Sequence, residues 1–412
     1  MTDMIFAAQN GRTISKEDKI FGINHRAQVR AAQVGKENVI NATIGALLDD
    51  QGKLIVLSSV DEVFRQLDPE DYAEYAPIGG LAEFREAVKK DIFRSFEPSS
   101  AVEVVSTPGG TGAVRNAISN YAQYGDTVLT ADWYWGPYQT IAEDQGKKLT
   151  TFELFDEKGG FNFLSLKEKA QELLAQQDRL VLILNTPSNN PTGFGLSVDE
   201  WEKLVRLLND LPKDKKIAML VDAAYMDFAG DEEESRAFLP VLEKADENVL
   251  PIISYSLSKA YTLYGLRCGA LVCMAKNKDI AEEFKIVCEL SSRGAWSNCA
   301  KAPQVMLARI YSDPELLKKV TEERKTYRDM LIRRGMAFTE EAEKVGLKMS
   351  TFRSGFFMTV PCDDPEALSA ELEKENIFVV PMAKGIRISG ASIPESACRK
   401  LPAAIKKALD RI

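Results

Sequence analysis

Short apolar runs recur through the middle of the chain at 102–106, 127–130, 180–185, 217–222 and 250–254, and another follows at 268–274. Between them lie stretches with helical periodicity, at 112–123, 164–175 and 198–208. Strand and helix in alternation predict an α/β domain with a mainly parallel central sheet. In such sheets ligands collect beyond the carboxyl ends of the strands. From Lys301 the pattern changes to a long helical stretch, from 302 to about 334, rich in Glu, Lys and Arg. An α+β region follows, strand-like at 355–360, 377–380 and 386–389 and helical at 365–375 and 394–409. The first fifty residues close on another strand-like run, 39–44. The expectation is a large domain over 50–325 and a smaller, discontinuous α+β domain built from 1–49 and 326–412.

Composition narrows the classes of function. The 412 residues are 45% hydrophobic and 27% charged, ordinary values for a globular chain. A formal net charge of −9 and no cluster of Lys and Arg interleaved with aromatics argue against a nucleic-acid partner. No apolar run reaches the ~18 residues of a membrane span, and no basic-then-apolar leader opens the sequence. The six cysteines lack metal-ligand spacing, which fits reduced thiols in a cytoplasmic protein and no bound metal. The single histidine, His25, sits in a polar stretch with no nucleophile motif nearby and reads as a helix-entry residue. Acid–base work then falls to another group.

The segment Ser254-Tyr255-Ser256-Leu257-Ser258-Lys259 places hydroxyl residues just before a lysine, and Arg267 stands eight positions after it. A lysine at a strand end, with hydroxyls and a guanidinium converging on it, suits a carbonyl cofactor that carries a phosphate. A surface lysine in a serine-rich loop is the plainer alternative. Pro108-Gly109-Gly110-Thr111-Gly112 joins a strand to a helix, where N–H groups and the helix dipole favour an anion. A tight turn explains the same glycines, and no P-loop lysine or G-x-G-x-x-G spacing is present.

Three further segments end on strands or in loops. Asn189-Asn190-Pro191-Thr192-Gly193 offers an amide to a phenolate oxygen, or is simply a turn. Asp222, in Val221-Asp222-Ala223-Ala224-Tyr225, closes an apolar strand, and a carboxylate buried there needs a cation or donor. A protonated pyridine nitrogen is one such partner, and helix capping is the alternative. Trp133-Tyr134-Trp135-Gly136-Pro137-Tyr138 suits stacking on a planar ring, or packing in the core.

Taken in order, these segments resemble those of the pyridoxal-phosphate-dependent class I/II aminotransferases of the aspartate and aromatic type, over about residues 35 to 395. The resemblance implies fold type I, with a mostly parallel seven-stranded sheet between helices in the large domain. It implies pyridoxal 5′-phosphate as cofactor and a ping-pong transfer of an α-amino group to a 2-oxo acid. Lys259 matches the lysine that carries the cofactor as an imine and moves the proton. Asp222 matches the partner of the ring nitrogen, Asn190 and Tyr225 the residues at the ring oxygen, and Trp135 the stacking ring. Gly110, Thr111, Ser256 and Arg267 match the phosphate cup. Arg387 matches the clamp for the substrate α-carboxylate, with Gly45 near it. Tyr75 resembles a tyrosine that reaches the phosphate of a neighbouring subunit, which implies a homodimer. Arg293 lies where relatives have an arginine for a distal carboxylate, also across subunits; a surface arginine is the alternative. One position departs from the family: relatives often carry a histidine three residues after the stacking tryptophan, and here Tyr138 occupies it. A β-lyase or another α-carbon reaction on the same fold would reuse the same cofactor residues.

Overall fold

The computed structural model of the chain describes Phe6 and residues 19–412. A seven-stranded sheet forms its centre, in the order Ala101–Thr107, Gly269–Ala275, Val249–Ser256, Lys216–Asp222, Arg179–Asn185, Thr127–Ala131, Lys148–Phe152. Gly269–Ala275 runs antiparallel to both its neighbours, and the other pairs are parallel. The inner strands are apolar without interruption because both faces are covered. Leu180, Leu182 and Leu184 enter one core while Val181 and Ile183 enter the core on the opposite face. The neighbouring strand does the same with Ile217, Met219 and Val221 against Ala218 and Leu220. Each large side chain among them, fully buried, contributes about 1.5–3 kcal/mol.

A second layer holds the antiparallel sheet Val380–Met382, Gly385–Ser389, Phe357–Pro361 and the parallel pair Ile40–Asn41 with Ile377–Phe378. It has its own apolar core, formed by Ala42 and by residues between Ala337 and Ala408. The segment 350–355 docks on the turn after strand Arg179–Asn185. There Arg353 and Ser354 donate their backbone N–H groups to the Gly193 carbonyl at 3.0 and 3.1 Å. Gly193 is at φ +71°, and a Cβ there would lie 2.4 Å from the Phe352 ring, so only glycine fits this approach.

Several elements differ from their expected form. The edge strand Lys148–Phe152 is not marked by the pattern, because an edge strand with one partner shows little alternation. The strand expected over 39–44 shrinks to Ile40–Asn41, since the chain then turns towards the sheet ends and the Thr43 carbonyl is taken by Arg387. The helical stretch from 302 divides into Ala302–Ser312 and Pro314–Lys344. Asp313 causes the break: its carboxylate caps the N–H groups of Glu315 and Leu316, and Pro314 takes the first helical position. The run 377–380 likewise splits between two sheets at Val379. His25 is exposed within the helix Lys19–Val34 and does not open it.

Candidate active site

Three neighbouring strands each carry a polar residue at the same height. Asn185 pairs in register with Asp222, and Asp222 with Ser254. The Asn185 amide donates to the Asp222 carbonyl at 2.8 Å, while its oxygen accepts the Asn190 N–H at 2.5 Å. That second bond pulls the turn carrying Asn190 back over the sheet edge. Asn185 and Asp222 of this row line a cavity of about 180 Å³.

Asp222 is buried, with 6% of its surface exposed. The Tyr138 hydroxyl donates to one carboxylate oxygen at 2.5 Å, and the Ala224 N–H reaches the other at 3.4 Å. Burial outweighs both donors and pushes the carboxyl up to about 6. Trp135 lines the same cavity and meets the Tyr138 ring edge-on, at 5.5 Å and 89°.

The cavity also has a cationic part. Gly109–Tyr121 starts there, with Gly110 and Thr111 in its first turn, beside Ser256, Ser258 and Arg267. The Arg267 guanidinium donates to the Ser258 hydroxyl at 3.1 Å and to the Tyr264 carbonyl at 2.9 Å. A Cβ at Gly109 would stand 2.6 Å from this guanidinium, so the glycine lets arginine and helix start share one anion site.

Lys259 lines the same cavity, in a single helical turn after strand Val249–Ser256. Its amine donates to the Gly45 carbonyl at 2.5 Å. The rings of Tyr264, Phe356 and Tyr225 surround it at 4.7, 5.5 and 5.6 Å. Burial, with the charges of Arg387 and Arg267 behind it, lowers the ammonium to about 7, so the amine is a nucleophile near neutrality. Tyr225 accepts from the Asn190 amide at 3.4 Å, and burial pushes its phenol up. Arg387 is buried on strand Gly385–Ser389, over the Phe357 ring at 4.5 Å. It donates to the Asn190 side-chain oxygen at 3.2 Å and to the Thr43 carbonyl at 2.7 Å.

The fold thus brings Gly110, Thr111, Trp135, Asn190, Asp222, Tyr225, Ser256, Lys259 and Arg267 to one cavity, with Arg387 and Gly45 one hydrogen bond away. Tyr75 and Arg293 lie elsewhere. Tyr75 is 89% exposed, and Arg293 is exposed near the end of helix Lys278–Ala295, where it donates to Ser297 at 2.6 Å. Ser258, one of the hydroxyls of the lysine motif, also lines the cavity, as do Asn185, Ala224 and Tyr264, to which no motif assigns a role. For Tyr264, which shares the lysine loop, nearness to Lys259 in sequence is the available signal.

The family model for aminotransferase class I and II matches residues 37–405. The chain belongs to that family. This aminotransferase is 37% identical to an aminotransferase of Anaerococcus prevotii, whose crystal structure superposes with a TM-score of 0.96 over 99% of this chain and 100% of that one. It is 28% identical to the mitochondrial aspartate aminotransferase of Xenopus tropicalis over 71% of this chain and 69% of that protein. An aromatic-amino-acid aminotransferase of Burkholderia pseudomallei, covalently bound to pyridoxal phosphate, shares the fold at TM-score 0.80 and 22% identity, covering 99% of this chain and 100% of that one. The aminotransferase is an enzyme of the pyridoxal-phosphate-dependent class. Its donor set fits that cofactor: a cationic part for a phosphate, an aromatic wall, a nucleophilic amine and a buried carboxyl. Among the described residues no helix is long and apolar enough to cross a membrane.

Proposed function

We propose that this aminotransferase takes its amino group from an aspartate-, glutamate- or aromatic-type L-amino acid and passes it to a 2-oxo acid such as 2-oxoglutarate. The observation that carries the reading is that Lys259, Arg267 and Asp222 line one cavity, with Arg387 one hydrogen bond away through Asn190. Lys259 would hold the cofactor covalently, and its amine would carry the proton taken from the substrate α-carbon. Bound there, pyridoxal phosphate supplies an electron sink for the α-carbon. Asp222 would keep a proton on the ring nitrogen, Asn190 and Tyr225 would hold the ring oxygen, and Trp135 would pack against the ring. Gly110, Thr111, Ser256 and Arg267 bind the phosphate. Arg387 takes the substrate α-carboxylate beside Gly45.

The exposure of Tyr75 and Arg293 on the single chain supports their use by a second copy, Tyr75 at the phosphate and Arg293 at a distal carboxylate. The working form is then a homodimer with shared sites. The separate apolar core around Ala42 and 337–408 supports the division into a large domain, 50–325, and a small one from 1–49 and 326–412, of which 1–5 and 7–18 lie outside the described residues. The six cysteines, all free thiols, support a reducing compartment such as the cytoplasm. The test is to add L-aspartate, L-glutamate, L-phenylalanine and L-tyrosine separately to the loaded enzyme and record visible absorption. Discharge of the cofactor band, with release of the matching oxo acid, is expected, and the fastest donor names the substrate class. A band that no donor discharges, with breakdown at the α- or β-carbon, would assign a lyase instead.

A further inference from the structure

Tyr138 is an unusual neighbour for a site carboxylate. It has no exposed surface, and it makes two contacts that converge on the same cavity. Its hydroxyl donates to Asp222, and its ring meets that of Trp135 edge to face. The Tyr134 ring stacks on it at 6.4 Å and 12°, and its own N–H is tied to the Trp135 carbonyl at 3.0 Å. The side chain therefore has little freedom to turn.

We infer that Tyr138 is a positioning residue that sets Asp222 and Trp135 relative to each other, fixing the carboxylate and the indole between which the cofactor ring is held. The inference rests on the assignment of Asp222 to the ring nitrogen. Asp222 presents two oxygens, and among the described residues its donors are the Tyr138 hydroxyl and, at 3.4 Å, the Ala224 N–H. Without the phenol, one oxygen of a buried carboxylate would lose its strong donor and the group could rotate about its last bond. A phenol suits the task because it offers one O–H and remains neutral. Burial and the adjacent carboxylate hold Tyr138 well above the ordinary tyrosine range. An imidazole at the same place would change charge near neutrality.

The test is a double-mutant cycle on the full chain, with Tyr138→Phe made both alone and together with Asp222→Asn. Cofactor dissociation constants are read by titrating the cofactor-free protein with pyridoxal 5′-phosphate and following tryptophan fluorescence. With Asp222 present, Tyr138→Phe should weaken cofactor binding about tenfold, the size of a lost hydrogen bond to a charged group. In the Asp222→Asn background the same change should cost less than about twofold. Steady-state kinetics should show kcat lowered and KM for the amino donor nearly unchanged. Tyr138→His, which restores a donor, should recover most of the affinity. Equal losses in both backgrounds, or wild-type affinity in Tyr138→Phe, would overturn the inference while leaving Asp222 in its role. If Asp222→Asn alone leaves affinity untouched, the assignment of Asp222 fails and the inference with it. Should Tyr138→Phe not fold, Tyr138→His made with and without Asp222→Asn decides: an effect on affinity that depends on Asp222 supports the inference, and an equal effect in both backgrounds overturns it.

Discussion

Asp222 should destabilise the cofactor-free protein it serves. The perturbation is Asp222→Asn, which keeps the shape and removes the charge. In the folded chain burial moves this carboxyl from its ordinary 3.8 up to about 6. That displacement is worth about 3 kcal/mol. The sign follows from where each state holds its proton. Below pH ~4 folded and unfolded chains both bind it, and no penalty exists. As pH rises towards 6 the unfolded chain releases it first, and above that the folded chain carries a buried anion at full cost. Asparagine never ionises, but its single oxygen cannot serve both Tyr138 and Ala224, a loss of about 1 kcal/mol. The variant should therefore be about 2 kcal/mol more stable than wild type near pH 8, and no more stable near pH 4. Urea unfolding of the cofactor-free proteins at both pH values, at one protein concentration, measures this. Adding cofactor should reverse the order at pH 8, because only the carboxylate gains a charged partner. If Asp222→Asn is less stable than wild type by the same amount at both pH values, the carboxyl is not penalised by burial and the reasoning fails.

Arg387→Lys should raise KM for amino and oxo acid alike by about 100-fold, because an ammonium cannot copy the planar two-point grip of a guanidinium; steady-state kinetics with both substrates would show it. Arg293→Ala should weaken dicarboxylate substrates about tenfold or more and spare aromatic donors, a selectivity read from kcat/KM for aspartate against phenylalanine. Asp91 is wholly buried and accepts hydroxyls from Tyr255, Tyr261 and Tyr311 and a guanidinium from Arg94. Although burial opposes ionisation, Arg94, Arg324 and Arg236 hold its carboxyl well below the usual range, so its stabilising effect is present above pH ~4 and lost as pH falls below that. Asp91→Ala should cost about 3–5 kcal/mol in urea unfolding near pH 7, with kcat per folded molecule unchanged at low temperature.

The inner sheet was legible because doubly buried strands leave unbroken apolar runs, and each run stops where the polarity of the site begins. Asp222 and Asn190 stand at or just after such stops, and Lys259 and Arg267 lie in one motif, so their convergence followed from the parallel topology. The edge strand Lys148–Phe152 was obscure because it has one partner and mixed burial. Asn185 reads in the sequence only as the end of a run; its work is to fasten the Asn190 turn, a hydrogen bond that no spacing encodes. Tyr264 was equally hidden. Its ring faces the Lys259 amine and its hydroxyl accepts the Leu47 N–H at 3.0 Å, and both contacts depend on a distant segment arriving there. The effect of a tyrosine in place of histidine at 138 could not be read from the sequence either, until the phenol was seen on the carboxylate.

The row Asn185, Asp222, Ser254 also limits how such an enzyme can diversify. Inserting or deleting one residue within any of these strands would displace its polar residue by about 3.3 Å or turn it to the opposite face. Either change would remove one polar group from the row and strand the others. Strand length here is thus effectively frozen. The residues proposed to meet the substrate, Gly45, Arg293 and Arg387, belong to a loop, a helix end and a separate sheet. Mutation can explore the exposed Arg293 position without disturbing the row, whereas a side chain at Gly45 would meet the Phe357 ring at 2.7 Å. A lineage built on this plan can change what it accepts far more readily than what it does.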